Sequence, residues 1–168
     1  MNGAIFFATK YGSTAQYAEW IAEATGLPAF EMEGDKGDPT DFGFLVIGAP
    51  IYYNKILNRQ WVKRHLRTLM ERPVLFFTVS GAPGGPKLDK WIARSLPAGL
   101  LRHMSHIVLQ GRQNPADLSW FDRMMLLVSG LFNPDRAAAR EEIKGFDFMD
   151  KASIAPIVQR VRELSSES

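Results

Sequence analysis

Short uninterrupted apolar runs alternate along the chain with longer stretches in which apolar residues recur every three or four positions. Ala4-Ile5-Phe6-Phe7-Ala8 predicts a strand buried on both faces. Ser13 through Ala24 predicts a helix, with Tyr17, Trp20, Ile21 and Ala24 on one side and Gly26 as its C-cap. Pro28 to Met32 predicts a second strand, and the polar segment 34–41 a loop with one helical turn. Phe42 to Ala49 is the clearest strand, centred on Phe44-Leu45-Val46-Ile47. With Asn58 as cap, a helix is expected to run to about Glu71, turning Val62, Leu66, Leu69 and Met70 inward. Pro73 stops it. Val74 to Val79 predicts a buried strand, 81–86 a Gly- and Pro-rich loop, Lys87 to Leu96 a helix, and Ile107-Val108-Leu109 the centre of a fifth strand.

The alternation breaks over residues 113–149. Trp120 to Phe132 predicts a helix that is apolar nearly all round, and Ala137 to Lys144 a second, short one. A final amphipathic helix carries Ile154, Ile157, Val158, Val161 and Leu164. Pro156 requires it to start near Ser153. Five strands alternating with helices predict an α/β domain whose parallel sheet is covered on both faces, and right-handed crossovers favour an open, doubly wound sheet. An eight-stranded barrel needs about 250 residues, more than the 168 present.

Composition adds that 46% hydrophobic and 23% charged residues suit one globular domain spanning 1–168. The chain has no cysteine, which excludes disulfides and thiolate chemistry. The first nine residues lack the pattern of a signal peptide, and the expected location is cytoplasmic. A net charge of +2 gives no support for nucleic acid binding. Lys55, Arg59, Lys63 and Arg67 recur every four residues. On a helix they would form one basic face, either a solvated surface or a docking surface for an acidic partner or a membrane. The three histidines, His65, His103 and His106, form no spaced set, and no metal site is expected.

Candidate chemistry lies at the ends of the strands, where open α/β sheets bind ligands. After the first strand come Thr9, Lys10, Tyr11, Gly12, Ser13 and Thr14. Gly12 lets successive N–H groups point inward, the hydroxyls add donors, and the helix N-terminus favours an anion. The loop therefore suits a phosphate monoester, while ordinary helix capping accounts equally well for the same residues. It lacks both the Walker pattern and the three-glycine dinucleotide spacing. After the third strand, Pro50, Ile51, Tyr52, Tyr53 and Asn54 place aromatic residues where a turn needs none, suited to a planar ring. After the fourth come Ser80, Gly81, Ala82, Gly84 and Gly85, whose glycines permit close approach.

On these residues the sequence resembles the flavodoxin family. Thr9 to Thr14 matches that family's FMN-phosphate loop, which a hydroxyl residue opens and Gly-x-Thr closes, with a departure at Tyr11. Gly48 to Leu57 is similar to a Gly-Ser/Ala-Pro-Ile-Tyr-x-Gly-Lys stretch of flavodoxin-domain proteins, with Asn54 in place of glycine. The resemblance implies a flavodoxin-like five-stranded parallel sheet of order 2-1-3-4-5, with helices on both faces and a helical insert before the C-terminal helix. It also implies FMN as cofactor, its phosphate on the first loop and its ring between the second and third.

Within the insert, Trp120-Phe121-Asp122-Arg123-Met124-Met125 resembles a Trp-Tyr-Asp-Arg-Phe-Met segment of the quinone-dependent protoporphyrinogen oxidases. This second resemblance implies an FMN oxidoreductase passing electrons from a porphyrinogen-like substrate to quinone. An apolar helix beside basic residues is also the pattern of peripheral membrane association, so Trp120–Phe132 is read as a lipid-facing or substrate-facing helix. Simple cover for one sheet edge is the competing reading of that helix. The alternatives for the whole chain are an electron carrier docking a redox partner protein, and a flavin-free interaction module.

Overall fold

The computed structural model describes residues 1–34, 37–132 and 144–167. The buried run at the start forms β1 (Gly3–Phe7), and α1 (Ser13–Thr25) follows and ends on Gly26 in the left-handed region. The chain continues through β2 (Ala29–Glu31), a 3-10 turn at Pro39–Asp41 and β3 (Phe44–Tyr52). Next come the short β4 (Lys55–Ile56), α2 (Arg59–Arg64), α3 (Leu66–Met70) and β5 (Val74–Ser80). They are followed by α4 (Pro86–Ser95), α5 (Ala98–His103), β6 (Ser105–Gln110) and β7 (Arg112–Gln113). The last elements are α6 (Trp120–Phe132), β8 (Phe146–Asp147) and α7 (Ala155–Ser166).

The parallel strands lie in the order β2-β1-β3-β5-β6, which is the expected 2-1-3-4-5, and β4 pairs antiparallel with β3. Alternate residues of each strand feed two apolar layers. Phe6, Leu45, Ile47 and Phe76 meet Trp61, Val62, Leu69, Leu88, Ile92 and Leu100 from α2 to α5. Ile5, Val46, Leu75 and Phe77 meet Tyr17, Ile21, Ile157, Val161 and Leu164 from α1 and α7. The doubly wound sheet and its two covered faces are thus as the periodicity predicts.

The differences are local. The helix expected from Asn58 to Glu71 is two helices broken at His65, and Met70 is 40% exposed instead of inward-facing. Asn58 precedes the first with a φ of 55° and makes no side-chain cap. As a result Lys55 lies on β4, Arg59 and Lys63 on α2 and Arg67 on α3, so the four cations share no single helix face. β3 runs three residues beyond Ala49 because β4 folds back on it through a two-residue turn. Tyr53 and Asn54, with φ of 45° and 61°, supply the left-handed pair that such a hairpin requires. The short helix expected at 137–144 lies outside the described residues, apart from Lys144.

The insert is fastened at its root. β7 and β8 pair antiparallel, the Phe148 N–H donates to Gly111 O at 3.2 Å, and the Tyr17 hydroxyl bridges both ends. That hydroxyl donates to Gln110 O at 2.7 Å and accepts from the Asp150 N–H at 3.2 Å. In the sheet itself, Gly48 lets β3 pass the fully buried Phe77, since a Cβ there would lie 2.2 Å from the ring. Gly48→Ala is therefore expected to cost about 1–3 kcal/mol through overpacking, measured as a lower urea midpoint with unchanged slope.

Candidate functional site

The loops that leave β1, β3, β5 and β6 gather at the carboxyl edge of the sheet around a cavity of about 500 Å³. That volume lies within the roughly 300–1,000 Å³ typical of cofactor and ligand sites. Thr9, Lys10, Tyr11, Ser13 and Thr14 line one end. Pro50, Ile51, Tyr52, Tyr53 and Asn54 line the hairpin side, and Ser80, Gly81 and Ala82 a third wall. Three of the residues read as binding groups do not line it. Gly12 instead supplies the left-handed N-cap of α1, at φ 89°, and Gly85 is the N-cap of α4 with Gly84 before it.

At the phosphate-loop end the hydroxyls have different fates. Thr9 Oγ1 accepts from the Gly12 N–H at 3.1 Å, which closes the loop. Ser13 Oγ accepts from the Arg112 N–H at 3.1 Å and donates to Arg112 O at 3.2 Å, so it ties α1 to β7. The chain after β6 thus occupies the Ser13 hydroxyl, although Ser13 still lines the cavity. Thr14 is different. Its side chain is 1% exposed, and its hydroxyl has no hydrogen-bond partner among the described residues. A buried hydroxyl without a partner costs about 1–3 kcal/mol. The first-turn N–H groups of α1 lie beside it without intrahelical partners. A phosphate oxygen is the kind of acceptor that this group lacks.

The insert contributes what the sequence reading missed. Asp122, 7% exposed, sits on α6 and receives hydrogen bonds from Tyr11, Tyr52 and Tyr53, the last at 2.7 Å. Ser119 Oγ donates to the same carboxylate at 2.8 Å and accepts from the Asp122 N–H at 3.1 Å, capping the helix. Lys10 Nζ lies 5.8 Å from the Tyr11 ring and 5.3 Å from the Tyr52 ring. Burial raises all three phenols, and the bond to Asp122 raises each further. Burial alone would also raise the Asp122 carboxyl, but the bonds from Tyr11, Tyr52, Tyr53 and Ser119 outweigh it and hold the group well below the usual carboxylate range. The available signal was a single carboxylate three residues after Ser119, at the start of a largely apolar helix.

Asp122, Met125 and Leu126 put α6 in the cavity wall, and Phe146 of β8 closes on Gly81, where a Cβ would lie 2.3 Å from its ring. Trp120 and Phe121 are 73% and 59% exposed, and Met124, Leu127 and Val128 are exposed as well. The described side chains of α6, as far as Val128, thus face the cavity or solvent.

The chain belongs to the flavodoxin domain family, whose profile matches residues 4–129, three-quarters of its length. Such a domain indicates FMN as cofactor. Among solved structures, the WrbA-like flavodoxin of Agrobacterium tumefaciens is similar at 13% identity and a TM-score of 0.51, over 72% of this chain and 87% of that one. The FMN-bound flavodoxin of Fusobacterium nucleatum is 14% identical at a TM-score of 0.44, over 67% and 71% of the two chains. A flavoprotein of Lactobacillus acidophilus in complex with FMN is 13% identical at 0.49, over 65% and 91%. No curated protein matches. Neither the family nor these structures point to the protoporphyrinogen oxidases.

The carboxylate cluster has a pH signature. Because folding lowers the Asp122 pKa, its stabilisation is complete above the unfolded value of about 3.9 and is lost as pH falls through the folded value. Wild type is expected to lose stability below about pH 4 more steeply than Asp122→Asn. Parallel urea-midpoint curves for the two proteins from pH 7 to pH 3 would contradict this assignment.

Proposed function

We propose that this protein is an FMN-dependent oxidoreductase that holds its cofactor in the cavity at the carboxyl edge of the sheet. The observation that carries the reading is the buried, partnerless hydroxyl of Thr14 at the N-terminus of α1. Thr14, Thr9 and the first-turn N–H groups of α1 would hold the phosphate. The Pro50–Asn54 hairpin and Ser80 to Ala82, with Phe146, would hold the ring. Ser95 keeps the hairpin in place, accepting from the Ile56 N–H at 3.1 Å and donating to Trp91 O at 2.8 Å. Leu118, Met125 and Leu126 give that side an apolar wall. Bound FMN would supply one- and two-electron transfer, and the protein would set its access and potential.

The finer reading is oxidation of a porphyrinogen-like substrate with electrons passed to quinone at a membrane face. Its support is the Trp120–Val128 segment and the exposed apolar side chains beside the cavity mouth. Among the described residues no helix is long and apolar enough to cross a membrane, so any contact would be peripheral. A second reading, an electron carrier docking an acidic redox partner protein, is favoured by Lys10, Lys55 and Arg112. These exposed cations at or near the cavity rim have no ion-pair partner among the described residues. Quinone reduction driven by a porphyrinogen selects the oxidase, whereas turnover only with protein partners and a steep salt dependence selects the carrier.

The cofactor is tested by the visible spectrum of purified protein after incubation with FMN and removal of the excess. A retained flavin spectrum is expected, and a colourless protein would leave only a flavin-free module. Thr14→Val is expected to leave the stability of the flavin-free protein unchanged or raise it slightly, while weakening FMN binding about tenfold or more. Equal losses of both would make Thr14 a purely structural residue.

A further inference from the structure

Among the described residues lining the cavity Asp122 is the only carboxylate, and it is supplied by the insert. Its hydrogen-bond partners come from two separate places. Tyr11 belongs to the loop after β1, whereas Tyr52 ends β3 and Tyr53 opens the turn to β4. One side chain therefore joins the phosphate loop, the hairpin and α6. The neighbouring side chains on α6, Trp120, Phe121, Arg123 and Met124, are exposed. Polar bonds, more than apolar packing, fasten this end of the helix to the domain.

We propose that Asp122 is a positioning residue that couples docking of α6 to occupation of the cavity by FMN. This inference rests on the cofactor reading above. The tyrosines that Asp122 orients are the same ones that form the cavity wall, so a docked helix presents a preformed wall, and an occupied cavity holds the tyrosines where the helix can dock. Such coupling is reciprocal, because each event must favour the other by the same factor. Lys10, beside the rings of Tyr11 and Tyr52, faces the cluster from the phosphate loop, and Ser119 faces it from the start of α6. No other described charged group lines this part of the cavity apart from Arg112 on β7.

Hydrogen–deuterium exchange over residues 120–128, with and without FMN, tests the coupling alongside FMN titration by flavin fluorescence. In wild type FMN is expected to slow exchange in this segment. In Asp122→Ala that slowing is expected to vanish and FMN affinity to fall about tenfold or more. Asp122→Asn, which keeps one acceptor oxygen, should fall between the two. Tyr53→Phe removes a single donor from an exposed turn and should give a smaller loss of the same kind, which keeps the test available if Asp122→Ala fails to fold. FMN-dependent slowing of equal size in wild type and Asp122→Ala, or undiminished affinity in that variant, overturns the coupling. Wild type that binds FMN with no change over 120–128 overturns it alone, whereas wild type that takes up no FMN overturns the cofactor reading with it.

Discussion

The arrangement depends on one constraint: β3 must be buried on both faces. Its residues alternate between the two apolar layers, Leu45 and Ile47 toward α2 to α5 and Phe44 and Val46 toward α1 and α7. A strand covered on both sides favours apolar side chains in its middle, as in β3 from Phe44 to Ile47, so polar chemistry gathers where the strands end. Because β1, β3, β5 and β6 all run parallel, their ends fall on one edge. The cavity is a consequence of that shared direction, and its lining mixes polar loop residues with apolar ones such as Ile51 and Val79.

Much of this was legible because it is encoded locally. Ala4 to Ala8 and Val74 to Val79 are apolar without interruption, and Gly26 and Asn54 sit where only a left-handed backbone completes the turn. The position of Thr14 at the start of α1 was legible from its place after Gly12. What was not legible depends on partners far along the chain. Ser13 has the right chemistry for a phosphate, yet the backbone of Arg112, 99 residues away, takes its hydroxyl. Asp122 looks like a helix cap in sequence and becomes the hub of three tyrosines only when residues 11, 52, 53 and 122 meet. The break at His65 is likewise invisible in a pattern that keeps helical spacing from Val62 to Leu69.

Thr14 and Asp122 show two opposite solutions to a buried polar group. Asp122 is saturated by donors, and the cost of enclosing its charge is offset by four hydrogen bonds. Thr14 has no partner among the described residues, and under the proposed reading an anion would supply one. One group is thus served within the fold, while the other would favour a bound state by being poorly served without it.

The closure of the insert at its root has an evolutionary consequence. Once Gly111 and Phe148 are bridged by the main chain, the intervening segment begins and ends at nearly the same point. The entropy lost in closing such an excursion grows only with the logarithm of its length. Lengthening, trimming or exchanging the segment would then perturb the sheet little, while everything it carries to the cavity mouth would change. The same scaffold can in this way acquire a new reactant by grafting one closed peptide, without repacking a single strand.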